Sequence, residues 1–257
     1  DQVTTIVDSM NRYFTRKPIS RAITAGILTS TLVLSACSGD KKASISSQEY
    51  LERSDAYLAQ HQYRAAIIEA RNVIQSDPGN IDGYVSLAEI YIQIGQSKAA
   101  IELLEQVKTE PDDAYTITLI EALVKRRKFA SAWLLLQKHK DLESAYAEQY
   151  KILLGKVYNA LGKQEEAIDL YKKQLEKNPN HPEFLIGLSK VYAGQNDIVN
   201  TTTLIDKVLT TNPNNYDASI LMAQIQLNQG GLQEAEDILT GLLSTLPNAD
   251  MMTPDKA

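Results

Sequence analysis

The chain has 257 residues, 44% of them hydrophobic and 23% charged, which is ordinary for a globular protein and enough to bury a sizeable core. The formal charge is −6: residues 1–36 hold Arg12, Arg16, Lys17 and Arg21 against Asp1 and Asp8, a net +2, so the remainder carries −8. An acidic body lacks the clustered Lys and Arg that phosphate recognition needs, which argues against nucleic acid as its partner. A single cysteine also closes no internal disulfide.

From Met10 the sequence reads "MNRYFTRKPISRAITAGILTSTLVLSAC". Four positive charges precede an uncharged run at 22–36, whose 15 residues fall short of the roughly 20 needed to span a bilayer. A basic start, a short apolar stretch and small residues at its end predict a secretory signal peptide over 10–36. Residues 1–9 do not fit that pattern and read as an upstream extension, with Met10 as the start. The closing Leu34, Ser35, Ala36 and Cys37 resemble the lipobox of bacterial lipoproteins. The resemblance implies that Cys37 is acylated and becomes the first residue of the mature protein. A thiol suits that role, being the strongest nucleophile among side chains near neutral pH, and two or three acyl chains anchor firmly where one does not. The alternative is an uncleaved membrane helix with an incidental cysteine. Residues 37–46 then form a small, polar, flexible tether. In such lipoproteins an aspartate after the cysteine favours the inner membrane. Ser38 in that place implies the outer membrane, with the body facing the periplasm.

From residue 47 to 247 the chain repeats itself. "KVYNALGKQEEAIDLYKKQLEKNPN" at 156–180 and "KVYAGQNDIVNTTTLIDKVLTTNPN" at 190–214 share their opening and closing triplets at an offset of 34 residues. The segments at 56–80 and 89–107 have the same layout. Each unit reads as two apolar-striped helices. Aromatics recur at Tyr57, Tyr91, Tyr158 and Tyr192, and small residues at Ala66, Ala100, Ala132, Ala167 and Ala235. Closing prolines stand at Pro78, Pro179, Pro213 and Pro247, and Gly95, Gly162 and Gly230 mark the internal turns. Alanine lets helix backbones approach, tyrosine fills the wedge, and proline ends a unit. This pattern resembles the tetratricopeptide repeat. The resemblance implies an all-α superhelical solenoid of about six helix-turn-helix units, near 47–80, 81–112, 113–147, 148–181, 182–215 and 216–247. The third unit lacks the wedge tyrosine and closing proline and carries "KRRK" at 125–128 with the chain's one tryptophan, Trp133. The fifth has Thr201 where alanine is expected, in an "NTTT" run poor for helix.

Residues suited to catalysis are scattered. His61 falls in a turn, His139 between lysines and His181 in the loop "NPNHP"; none has a second ligand at zinc-motif spacing, so each is expected to be a solvated histidine. No glycine-rich phosphate loop, Gly-x-Ser-x-Gly or Cys-x-x-Cys occurs. The pairs Glu165–Glu166 and Asp112–Asp113 fit a helix start and a linker. "KRRK" reads as a basic docking patch or, by preference, a solvated turn. The expectation is a chain that is not an enzyme and needs neither metal nor cofactor.

What remains is surface. The resemblance places positions 2, 5, 9, 12 and 13 of each first helix on a concave groove. Position 5 supplies Leu51, Val85, Ile117, Ile152, Ile186 and Ile220, an expected apolar floor. Position 9 supplies Asp55, Glu89 and Glu121, then Lys156 and Lys190, then Gln224, an acidic front and a basic back. A protein or peptide segment of mixed charge suits that groove.

Residues 50–80, with "AAIIEARNVIQSDP" at their centre, resemble the first repeat of lipoproteins of the exosortase/PEP-CTERM and exopolysaccharide system. A type IV pilus or secretin-assembly lipoprotein, or a regulatory subunit of a cell-wall enzyme, stands as an alternative. At the far end, residues 232–246 place leucines and isoleucines on more than one helix face. An apolar stripe left to cover predicts either a further repeat, with residues 248–257 as its start or a tail, or burial by self-association.

Overall fold

The computed structural model describes residues 45–244, and among these it contains thirteen helices and no strand. Twelve form six antiparallel pairs: α1 (Ser47–Ala59) with α2 (Tyr63–Ser76), α3 (Ile81–Gln93) with α4 (Ser97–Leu104), and α5 (Asp113–Lys125) with α6 (Phe129–Lys138). After the single turn α7 (Leu142–Ala145) come α8 (Ala147–Ala160) with α9 (Gln164–Lys177), α10 (Pro182–Gly194) with α11 (Ile198–Thr211), and α12 (Tyr216–Asn228) with α13 (Leu232–Ser244).

Local chemistry starts these helices. Ser46, Asn80, Asp112, Asp197 and Asn215 cap helix N-termini by accepting a backbone N–H, as the Asp112 carboxylate does from Tyr115 at 2.7 Å. Each pair turns back through one residue of positive φ: Gly95, Gly162 and Gly230 in three units, but His61, Arg127 and Asn196 in the others, at φ 58–60°. At the seams, the N–H groups of Asn80, His181 and Asn215 donate to the carbonyls of Asp77, Asn178 and Asn212, the same turn three times over.

Packing is nearest-neighbour. Each first helix touches the first helix of the next unit, and each second helix wedges against that same helix, building an inner and an outer layer. Ala66, Ala100, Ala132, Ala167 and Ala235 are fully buried, as close helix approach requires. Thr201 is fully buried too, and α11 runs unbroken: its hydroxyl donates to the Asp197 carbonyl at 2.6 Å, so no polar group is left bare. Tyr57, Tyr91, Tyr158 and Tyr192 lie half-buried against the core clusters. In the third unit Trp133 supplies aromatic bulk instead, with its ring 5.5 Å from that of Tyr158.

The terminal helix differs from the expectation. Ala235, Leu239 and Leu242 are buried, whereas Gln233, Glu234, Glu236, Asp237 and Thr240 face solvent. Only Leu232 is a strongly exposed leucine of α13, with Ile238 and Leu243 half-covered, because α12 takes up most of the apolar stripe. Leu246 lies outside the described residues.

Candidate partner-binding groove

The inner layer α1, α3, α5, α8, α10 and α12 presents the residues assigned to the groove. Val85, Ile117, Ile186 and Ile220 are buried at 2–8% exposure, and Leu51 and Ile152 are half-buried. Four of the six expected floor residues are therefore core, and only Leu51 and Ile152 keep apolar surface at that position. Asp55, Lys190 and Gln224 are exposed, and Glu89, Glu121 and Lys156 half-exposed.

A ladder links neighbouring units. Gln149 Nε2 donates to Glu121 Oε2 at 2.9 Å, and Lys156 Nζ lies 3.6 Å from Glu183 Oε2. In both cases the ninth repeat position of one unit meets the second position of the next. Half-exposed pairs of this kind are worth about 0.2–1 kcal/mol, so an arriving ligand charge can replace one partner at small cost. Lys190, at the same station one unit on, forms no ion pair among the described residues.

Lys125 belongs to this cluster, although the position-5 and position-9 assignments omit it. Its side chain is exposed. Loss of surrounding water, then repulsion from Lys156, lowers its pKa below the ordinary lysine value, while Glu121, Asp217 and Glu183 oppose the shift. Asp217 on α12 is thus among the charges that act on Lys125. Reading positions 2 and 13 as carefully as 5 and 9 would have found Lys125, Gln149, Glu183 and Asp217.

The histidines part company. His61 is exposed, with Nδ1 3.0 Å from the Tyr63 hydroxyl, and His139 is half-buried. His181 is not solvated: its side chain is 13% exposed, Nε2 lies 3.2 Å from Glu148 Oε1, Nδ1 is buried without a hydrogen bond among the described residues, and the ring sits 4.4 Å from that of Phe184. It occupies the station at which Asn80 and Asn215 cap the following helix, and imidazole makes no such cap here. Among the described residues, no group of three or more His, Cys, Asp or Glu side chains is placed to hold a metal ion, and no helix is long and apolar enough to cross a membrane. Leu34, Ser35, Ala36 and Cys37 lie outside the described residues.

Comparison with known proteins follows the same line. Residues 57–123 and 194–251 match one tetratricopeptide-repeat model and residues 148–191 another, together well over half of the chain. A tetratricopeptide repeat protein from Parabacteroides merdae superposes with a TM-score of 0.68 over 82% of each chain, at 13% identity. TTC0263, a TPR protein of Thermus thermophilus, aligns over 71% of this chain and 100% of its own, with a TM-score of 0.58 and 20% identity. Pseudomonas aeruginosa pilF aligns over 79% of this chain and 92% of its own, with a TM-score of 0.54 and 17% identity. Identities this low speak of fold alone. No curated protein matches. Paired helices on a common period, buried alanines at each close approach, and both repeat models agree: the chain belongs to the tetratricopeptide-repeat family, whose members are typically non-catalytic scaffolds for protein–protein interaction.

Proposed function

We propose that this chain is a lipid-anchored scaffold that holds a protein segment of mixed charge in its concave groove. In this reading residues 10–36 are removed as a signal peptide, acylated Cys37 fixes the protein to the outer membrane, and the array faces the periplasm without catalytic work. The resemblance of residues 50–80 supports a place in exosortase/PEP-CTERM-type exopolysaccharide assembly.

The observation that carries the groove reading is the ladder itself. Glu121–Gln149 and Lys156–Glu183 present alternating charge along one inner surface, with Lys190 beyond them making no ion pair among the described residues. A ligand carrying both signs can satisfy Lys190 and exchange with the weak pairs.

Reversing Lys156 and Lys190 to Glu tests this. Helix content is expected to stay, because both side chains reach solvent, while recovery of the crosslinked periplasmic partner falls at least about tenfold, the loss of two short-range charge contacts. Unchanged recovery would move binding to the outer layer. The anchor is tested separately by Cys37→Ser, which is expected to shift the protein from the membrane fraction to the soluble periplasm or leave the precursor uncleaved. Normal processing with unchanged membrane residence would refute it.

A further inference from the structure

The turn between α5 and α6 is unlike its five counterparts. Arg126, Arg127 and Lys128 are consecutive, exposed, and make no ion pair with any described residue. Arg127 takes the left-handed backbone at φ 58°, where three other units use glycine and the remaining two use His61 and Asn196. Histidine and asparagine are enriched in that region; arginine has no such local compensation. A residue kept in a costly conformation marks a place where its side chain is wanted.

Its surroundings are amphipathic. The Arg127 guanidinium stands 5.9 Å from the centre of the Phe129 ring, and Lys163, from the next turn along the same edge, stands 5.3 Å from that of Trp133. Leu134, on the outer side of α6, is 69% exposed. The nearest acidic side chains in sequence to Lys163 are Glu165 and Glu166, of which Glu166 is held by Lys163 at 3.3 Å. Three cations without an ion pair among the described residues and partly exposed aromatic rings therefore share one edge of an otherwise acidic protein, with a bare leucine next to Trp133 on the same helix.

We infer that this edge docks on an anionic phospholipid surface, independently of the anchor at Cys37. Basic side chains meet the headgroup charge, while Trp133 and Leu134 provide the apolar and interfacial contacts that membrane-surface segments use. A purely acidic peptide would leave Leu134 without purpose, so charge and apolar exposure together favour lipid. The net charge of −6 does not forbid the approach, since screening over roughly 8 Å leaves only the nearest side chains in contact with the membrane field.

Trp133 is the chain's one tryptophan, so its fluorescence reports this edge directly. The full chain carrying Cys37→Ser, which cannot be acylated, is mixed with vesicles bearing brominated acyl chains. One set contains phosphatidylglycerol and phosphatidylcholine in equal parts, the other phosphatidylcholine alone. Trp133 is expected to be quenched by the anionic vesicles, far less by the neutral ones, and to recover in high salt. Each cation removed weakens partition about fivefold, so Arg126→Ser, Arg127→Gly and Lys128→Ser together are expected to weaken partition, read from the quenching titration, by about a hundredfold at unchanged helix content. A second variant, Lys163→Gln with the turn intact, tests the same edge should the triple variant fold poorly; it too is expected to weaken quenching. Chain that sediments with vesicles while Trp133 stays unquenched would overturn the proposal, because the apolar leader alone would explain the binding. So would quenching that ignores lipid charge and both variants, or a response to polyglutamate with none to vesicles, which would assign the edge to a protein partner.

Discussion

Tyr171 is held between two glycines of the inner layer, and replacing either one should damage the array. The ring is buried at 1% exposure, and burial with the nearby Glu183 charge pushes its hydroxyl pKa well above the usual value. A Cβ added to Gly187 on α10 would fall 2.5 Å from Tyr171 Cζ, 2.7 Å from Cε1 and 2.8 Å from the hydroxyl oxygen. Added to Gly155 on α8, it would meet the same atoms at 2.4, 2.6 and 2.6 Å. Carbon atoms rest at about 3.5–4.0 Å, so the ring would have to move by about 1 Å, and the second glycine stands where it would go. In an exposed helix Gly→Ala gains about 1 kcal/mol. Here overpacking costs about 1–3 kcal/mol, and the tight contact places each site at the upper end, for a net loss near 2 kcal/mol. For a chain of this size that is a fall in Tm of about 4–8 °C, readable by far-UV circular dichroism. Tyr171→Leu opens the space, so the Gly187→Ala/Tyr171→Leu double variant should lose less than the two single losses combined, with a coupling of about 1 kcal/mol or more. A Gly187→Ala protein more stable than wild type, or strict additivity, would refute the wedge argument.

Three other outcomes follow from single residues. Thr118 is 1% exposed and its hydroxyl has no hydrogen-bond partner among the described residues, so Thr118→Val should raise stability by about 1 kcal/mol in urea titration; a loss would mean the hydroxyl is satisfied. Relief of the left-handed arginine should make Arg127→Gly more stable by about 0.5–1 kcal/mol, and a fall in Tm would contradict the strain assigned to that turn. The folded-state pKa of Lys125 lies below its unfolded value of 10.5, so the charged form costs stability at neutral pH, and that cost is relieved as pH rises from the folded toward the unfolded pKa. Lys125→Gln should therefore be slightly more stable at pH 7, by no more than about 0.5 kcal/mol for so exposed a group. That difference should vanish once pH exceeds the unfolded pKa; a variant less stable at pH 7 would show that the carboxylates of Glu121, Glu183 and Asp217 dominate.

The period was legible because its causes are local. Proline after a helix, glycine at a turn and alanine at a close approach each act through their own backbone or missing bulk, and they recur in register. The same reasoning did not reach Arg127, since a glycine marks a positive φ in the sequence and an arginine does not. Nor did it foresee how Thr201 is accommodated in an alanine's place: a hydroxyl bonded to the Asp197 carbonyl is a property of the formed helix. The short α4 goes with the shorter second unit, 32 residues from Ile81 to Asp113, and the extra turn α7 stands at the end of the third unit, which closes without proline. His181 was misread because the loop motif around it is polar, while the ring turns inward onto Phe184.

The groove was legible in sign and not in depth, and the reason bears on how it works. A residue at the fifth station of an inner helix shares a seam with the neighbouring inner helix, so its apolarity is consumed in holding the array together: Ile117 and Ile186 are 2% and 3% exposed. Residues at the ninth station reach past that seam toward the second station of the next helix, where Gln149 and Glu183 wait. Glu121 and Lys156 are thus each placed by two units at once. A change in the superhelical pitch lengthens or shortens the Lys156–Glu183 contact directly, while the buried seam resists it. Binding that draws Lys156 away from Glu183 would remove one weak link between the fourth and fifth units and leave the buried cluster of Tyr171, Phe184 and Leu188 to hold them, so the groove can exchange charge partners without loss of the array.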